Sequence, residues 1–392
     1  MATTTLLAGA YGYGPDPQNY PGGLHLLSFD ATAGALSSRT SHAPGQEAGY
    51  LALAPDGRTV YTVDERKNDG RGPVGPAASI QAFRLDASGL SFLGGQPALG
   101  PFPTYLSTDP AGRWLAVAAH GSFDHVERVV ATAGGWTVEQ VYDDSTVSLY
   151  PLGPDGAIGP LADLVVLAGH GPDPGASPQA GGHAQASAHA HCAQFDPSGR
   201  FVVVCDKGTD TIHVYDVSSG RLDEAARHAA APGTAPRHAA FHPAGDRLVV
   251  TNELASTVTS YRFDPASGAL AELATVSTLA PGGSRYNEPA DIQLSPDSRF
   301  VVVNNRGQDT VVVLRFDAAT GALAYAAHAQ LAGSIHAGLA ARSFRFDPAG
   351  AHLFVADRPA EAIIAYAVDP ATGALTERAR AAVPQPAFVL PL

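Results

Sequence analysis

Six times along the chain a turn of Pro-x-Gly type is followed by a short apolar strand, and this recurrence limits the possible fold more than any other feature. The turns are Pro55-Asp56-Gly57, Pro110-Ala111-Gly112, Pro197-Ser198-Gly199, Pro243-Ala244-Gly245, Pro296-Asp297-Ser298 and Pro348-Ala349-Gly350. Each reads as a hairpin turn. The strands that follow are Thr59-Val-Tyr-Thr-Val63, Trp114-Leu-Ala-Val-Ala118, Phe201-Val-Val-Val-Cys205, Leu248-Val-Val-Thr251, Phe300-Val-Val-Val-Asn304 and Leu353-Phe-Val-Ala356. Unbroken apolar runs suit strands covered on both faces. The next strand alternates, as in Thr211-Ile-His-Val-Tyr215, Thr257-Val-Thr-Ser-Tyr261 and Thr310-Val-Val-Val-Leu314, before a closing turn such as Asp317 to Leu323. One unit is therefore a small antiparallel sheet.

A period of roughly 45 to 55 residues marks propellers or repeat arrays. A solenoid leaves terminal edges that need caps, whereas a propeller closes on itself. The strands Thr5 to Tyr11 and Leu24 to Phe29 are completed by the tail Ala387 to Leu392, giving a seventh unit fastened by both chain ends. The expectation is an all-β, seven-bladed β-propeller, one domain over residues 1–392. The long interval from Pro110 to Pro197 holds two insertions, at about 121–144, read as a hairpin or lid, and at about 169–188, a Gly, Pro, Ala and His-rich loop. Length alone favours two or three domains, but the repeats decide for one.

Composition excludes several functions. Hydrophobic residues make up 45% of the chain, enough for a core, and 42 Gly and 31 Pro imply turns rather than long helices. The formal charge of -13 repels phosphate backbones, so nucleic-acid binding is not expected. The N-terminus lacks a secretory pattern and no apolar run is long enough for a bilayer, which points to a cytoplasmic protein without a membrane partner. Cys192 and Cys205, on neighbouring strands of one repeat, read as small buried hydrophobes, not a disulfide.

Propeller sites lie where loops and inner strands meet the central channel. Corresponding places in several repeats hold His191, Arg237, His238, Glu253 and Arg306, with Glu65, His120 and Lys207 at comparable strand ends. A carboxylate, a histidine and arginines in one cleft suit an anionic ligand and proton transfer. The structural alternative is that Glu253 and Arg237 form an ion pair inside their blade. His242, within a turn, reads as structural. His183, His189 and His191 match no recognised ligand spacing, so neither a metal nor a cofactor is expected. There is no Gly-rich phosphate loop and no nucleophile elbow.

The stretches His191-Cys-Ala-Gln-Phe-Asp-Pro197, Pro236-Arg-His-Ala-Ala-Phe-His-Pro243, Thr251-Asn-Glu-Leu-Ala-Ser-Thr-Val258 and Asn304-Asn-Arg-Gly307 resemble the lactonase family of seven-bladed propellers, which includes bacterial 6-phosphogluconolactonases and fungal carboxy-muconate cyclases. The resemblance implies a site of His191, Arg237 and Glu253, with Arg285 or Arg306 as further anion holders. It implies hydrolysis of a sugar-derived or other organic-acid lactone, with Glu253 as base on a water, His191 as proton donor or oxyanion stabiliser, and Arg237 with Arg306 gripping the anion. His238, His120 and Glu65 complete the expected substrate contacts. The alternatives are a muconate-type cycloisomerase and a non-catalytic binding propeller.

Overall fold

The computed structural model describes residues 3–12, 20–43, 45–67, 77–86, 89–172, 174, 184–283 and 286–392. Seven four-stranded antiparallel sheets form the blades. Blades 1 to 6 run from the inner strand outward in chain order; their inner strands are Leu51–Leu53, Pro103–Thr108, Ala190–Phe195, Pro236–Phe241, Glu288–Leu294 and Ser343–Phe346. In blade 7 the inner strand is the C-terminal Pro386–Pro391, and Thr3–Ala10, Gly23–Asp30 and Ala35–His42 follow outward. Leu7 pairs with Leu390 and Gly9 with Phe388, so both chain ends share one sheet and the ring of inner strands is closed.

The apolar runs take the second place in each blade, as expected. Phe201, Val202, Val203, Val204 and Cys205 are all buried, each large side chain contributing roughly 1.5–3 kcal/mol by leaving water. The alternation expected for the third strands is absent: Ile212 to Tyr215 and Thr310 to Leu314 are buried throughout, because neighbouring blades cover both faces. Alternating exposure falls on outermost strands such as Asp223–Ala229. No helix among the described residues is long and apolar enough to cross a membrane.

One local irregularity positions the site. Pairing of the inner strand with its neighbour slips between Pro103 and Tyr105, Ala190 and Cys192, Pro236 and Ala239, and Pro289 and Ile292. These bulges release Thr104, His191, Arg237 with His238, and Ala290 with Asp291 from strict alternation, which lets consecutive side chains turn toward the channel.

The first insertion is a hairpin, His125–Thr132 paired with Gly135–Tyr142 as a separate two-stranded sheet. Val126, Val129, Trp136 and Val138 are 56–78% exposed, so the hairpin packs little against the body. Its base is held where Ser122 Oγ donates to Asp143 at 2.6 Å and Lys67 pairs with the same carboxylate at 2.7 Å. Because His125 and Tyr142 face each other, a short Gly-Ser link can replace residues 126–141. That deletion is expected to change unfolding free energy by no more than about 0.5 kcal/mol, as for other surface changes. A denaturant titration showing a loss of several kcal/mol would mean the hairpin is part of the core. In the second insertion, residues 173 and 175–183, including His183, lie outside the described residues. Its end is anchored by Gln185, whose Nε2 donates to the Lys207 carbonyl and to Asp210, each at 2.9 Å.

Candidate active site

The turn prolines give the site its register. Ten residues after each of the six stand Glu65, His120, Lys207, Glu253, Arg306 and Arg358; six residues before stand Gly49, Thr104, His191, Arg237, Ala290 and Arg342. Since every blade repeats one geometry, these offsets place two girdles of side chains at the same end of the channel. There eight of the twelve line a cavity of ≈ 360 Å³, of a size for a small polar ligand. Gly49 leaves room for the Glu65 side chain: a Cβ there would meet a Glu65 carboxylate oxygen at 1.9 Å and would have to displace it.

At the centre is Glu253, 1% exposed and surrounded by cations. Lys207 Nζ donates to Oε1 at 2.7 Å, while Arg237 Nε and Arg306 Nη2 lie 2.6 and 2.9 Å from Oε2. The two arginine contacts are ionic and not directed along N–H bonds. Arg306 also meets Glu288 at 3.0 Å. Burial works to raise the pKa of Glu253, but Lys207, Arg306 and Arg237 together outweigh it and hold the carboxyl well below its ordinary value. Burial, then Arg306, pushes Arg237 down to about 9, still charged near neutrality. A carboxylate so clamped is a weak base, and its chemistry is to gather three cations in one place.

Four imidazoles occupy the neighbouring wall and floor. His189 stacks on His120 with ring centroids 4.4 Å apart, and its Nδ1 donates to the His120 carbonyl at 2.9 Å. His120 Nδ1 donates to the Gly121 carbonyl at 2.8 Å. His191 Nδ1 lies 3.2 Å from His238 Nε2. Burial, the largest cause in each, drives all four pKa values down, to about 4 for His189 and His238 and well below the usual value for His120 and His191, where cationic neighbours add to it. These rings are therefore neutral near pH 7. Among the described residues, Nε2 of His120 and of His191 has no hydrogen-bond partner, and both side chains line the cavity.

Neutral burial has a stability consequence. A histidine whose pKa is lower when folded than when unfolded binds fewer protons in the native state, so its stabilisation is complete above about pH 6.5 and is lost as pH falls toward about 4. His189 and His238 are each expected to remove up to about 1.4 kcal/mol between pH 6.5 and 5.5. Calorimetry should show the melting temperature falling through this window; a flat profile would contradict neutral burial.

The family model for Lactonase, 7-bladed beta-propeller, matches residues 5–391. The chain belongs to the lactonase family. A protein named 6-phosphogluconolactonase from Bacillus subtilis (strain 168) is 27% identical over 356 residues, covering 90% of this chain and 89% of that protein. Among solved structures, the Pseudomonas aeruginosa periplasmic gluconolactonase PpgL superposes with a TM-score of 0.81 at 25% identity, covering 100% of this chain and 99% of that one. A Lactobacillus plantarum protein does so with a TM-score of 0.81 at 26% identity over the full length of both.

In this lactonase-family chain the sequence-derived candidates separate into two layers. Glu253, His191, Arg306, His120 and Glu65 reach the cavity wall. Arg237 and His238, expected to touch the ligand, lie beneath the floor beside a small void, where Arg237 supports Glu253 and His238 supports His191. Glu65 is held by Tyr11, whose hydroxyl donates at 2.6 Å, and by Arg342 at 3.1 Å. Arg285 lies outside the described residues. His242 Nδ1 accepts the Ala244 N–H at 3.1 Å, a turn role. Arg342 and Arg358 were not among the candidates, although they stand at the same offsets from Pro348 as Arg237 and Glu253 do from Pro243.

Proposed function

We propose that the chain hydrolyses a sugar-derived lactone bearing an anionic group, with His191 as the base. The observation that carries this reading is a neutral histidine with a bare Nε2 on the wall of a ≈ 360 Å³ cavity, beside cations gathered by Glu253. His191 Nε2 takes a proton from water as the water oxygen attacks the lactone carbonyl. Lys207 and Arg306 stabilise the negative charge that develops on the carbonyl oxygen. The ring C–O bond then breaks, the proton on Nε2 passes to the departing oxygen to give a hydroxyl, and the new carboxyl releases the second proton of the water to solvent, leaving a carboxylate. The depressed pKa makes protonated His191 a good acid for this second step.

Two features favour this over cycloisomerisation. The bare nitrogens of His120 and His191 accept hydrogen bonds, which suits the hydroxyls of an aldonolactone and finds few donors on a muconolactone. Lys207 and Arg306 both reach the cavity wall, where they can meet a phosphoryl or carboxylate group of the ligand. Relatives named 6-phosphogluconolactonase make 6-phosphogluconolactone the first substrate to try. Its kcat/KM is expected to exceed that of unphosphorylated gluconolactone by at least about tenfold, the effect of one charge-assisted hydrogen bond. Equal values would remove the phosphoryl group from the reading.

A further inference from the structure

We infer that Asp291 and His238 are positioning residues that hold His191 in the one tautomer able to act as a base. This deepens, and rests on, the reading of His191 given above. The chain of contacts runs around the channel from blade 5 to blade 4 to blade 3. Asp291 Oδ1 lies 3.1 Å from His238 Nδ1, and His238 Nε2 lies 3.2 Å from His191 Nδ1. All three residues are buried, and each stands at a bulge of its inner strand.

Hydrogen placement follows from what each group can do. An ionised carboxylate only accepts, so His238 Nδ1 carries the hydrogen. Because His238 is neutral, its Nε2 carries none. Arg237 Nη1, 3.2 Å from that same Nε2, confirms the polarity independently, since a guanidinium only donates. Two lone pairs facing each other at 3.2 Å would repel, so His191 Nδ1 must carry a hydrogen and donate it. His191 is also neutral, which leaves Nε2 bare on the cavity side. Two successive tautomers are thus dictated by one carboxylate.

Asp291 is itself fixed. It forms an ion pair with Arg345, and its backbone N–H donates to Asn304 Oδ1 at 2.7 Å. Burial acts to raise its pKa, but Arg345 and His238 outweigh that and keep it ionised. During turnover no proton travels along the chain. His191 gains one at Nε2 and returns it there, while its Nδ1–H continues to donate to His238.

The test uses the full chain labelled with ¹⁵N-histidine, because two-bond ¹⁵N–¹H correlations distinguish Nδ1–H from Nε2–H rings. At pH 7 the wild-type protein is expected to show both His191 and His238 as neutral Nδ1–H tautomers. Asp291→Asn removes the obligate acceptor, so His191 should become a tautomer mixture and kcat should fall about 10- to 100-fold with KM changed less than about twofold, as for other supporting hydrogen bonds. Wild-type His191 found as Nε2–H or as imidazolium overturns the inference without any variant, whether or not Asp291→Asn folds. A folded Asp291→Asn protein with unaltered tautomers and kcat overturns it as well. The two readings fail separately: an active His191→Gln protein with the expected wild-type tautomers removes the base assignment alone, and an inactive one beside an unaltered Asp291→Asn removes the positioning chain alone.

Discussion

Replacing His191 by glutamine is expected to lower kcat for lactone hydrolysis by about 10³-fold, within the range for losing a general base, with little change in stability. Glutamine keeps a polar group near His238 Nε2 and roughly fills the imidazole volume, so the buried neighbours keep a partner. It has no nitrogen that accepts a proton near neutrality. The wild-type pH profile belongs to the same prediction. Since burial and the positive charge of Arg237 hold His191 far below its ordinary pKa, kcat/KM should be level from pH 8 to 6 and show no acid limb near 6.5. A His191→Gln rate within threefold of wild type, in a continuous acid-release assay, would contradict the assignment.

Glu253→Gln tests the other half of the site, and its largest effect is on stability. The change leaves Lys207, Arg237 and Arg306 buried without their shared carboxylate, only Arg306 of the three keeping an ion pair among the described residues, with Glu288. Breaking a buried charge cluster from one side costs about 3–5 kcal/mol. Were Glu253 the water-activating base, as the sequence resemblance implies, the same change would abolish turnover and spare the fold. Denaturant melts separate the two: the clamp account predicts a large stability loss, partly restored when Lys207→Met removes one unpaired cation as well. An unaltered midpoint for Glu253→Gln would contradict it.

The fold was legible because each blade repeats a turn proline and an apolar second strand, and both survive in the amino-acid string. The seventh blade was legible from the chain ends, since the strands Thr5 to Tyr11 and Leu24 to Phe29 are too few for a blade and the apolar tail Ala387 to Leu392 supplies a further one, which pairs beside the first. Outer strands such as Asp223–Ala229 were not, because an exposed, mostly polar edge carries little periodic signal. The site was half legible. His191 and Glu253 stood out as chemistry-bearing residues near a turn, but which candidates touch the cavity and which lie below does not follow from their spacing. His191 and Arg237 both stand six residues before their turn prolines, yet His191 lines the cavity and Arg237 lies beneath it. Bulges at these points override the two-residue period of a strand, so alternation could not sort them. Protonation was hidden for a different reason: it depends on neighbours from other blades, which no local pattern displays.

Mass analysis of the product of 6-phosphogluconolactone turnover in ¹⁸O-labelled water tests the central claim most directly. Attack of a His191-activated water on the carbonyl predicts one labelled oxygen in the product carboxylate, formed in wild type far faster than in His191→Gln. Product of unchanged mass without label, or no turnover above the rate without protein, would contradict lactone hydrolysis at this site.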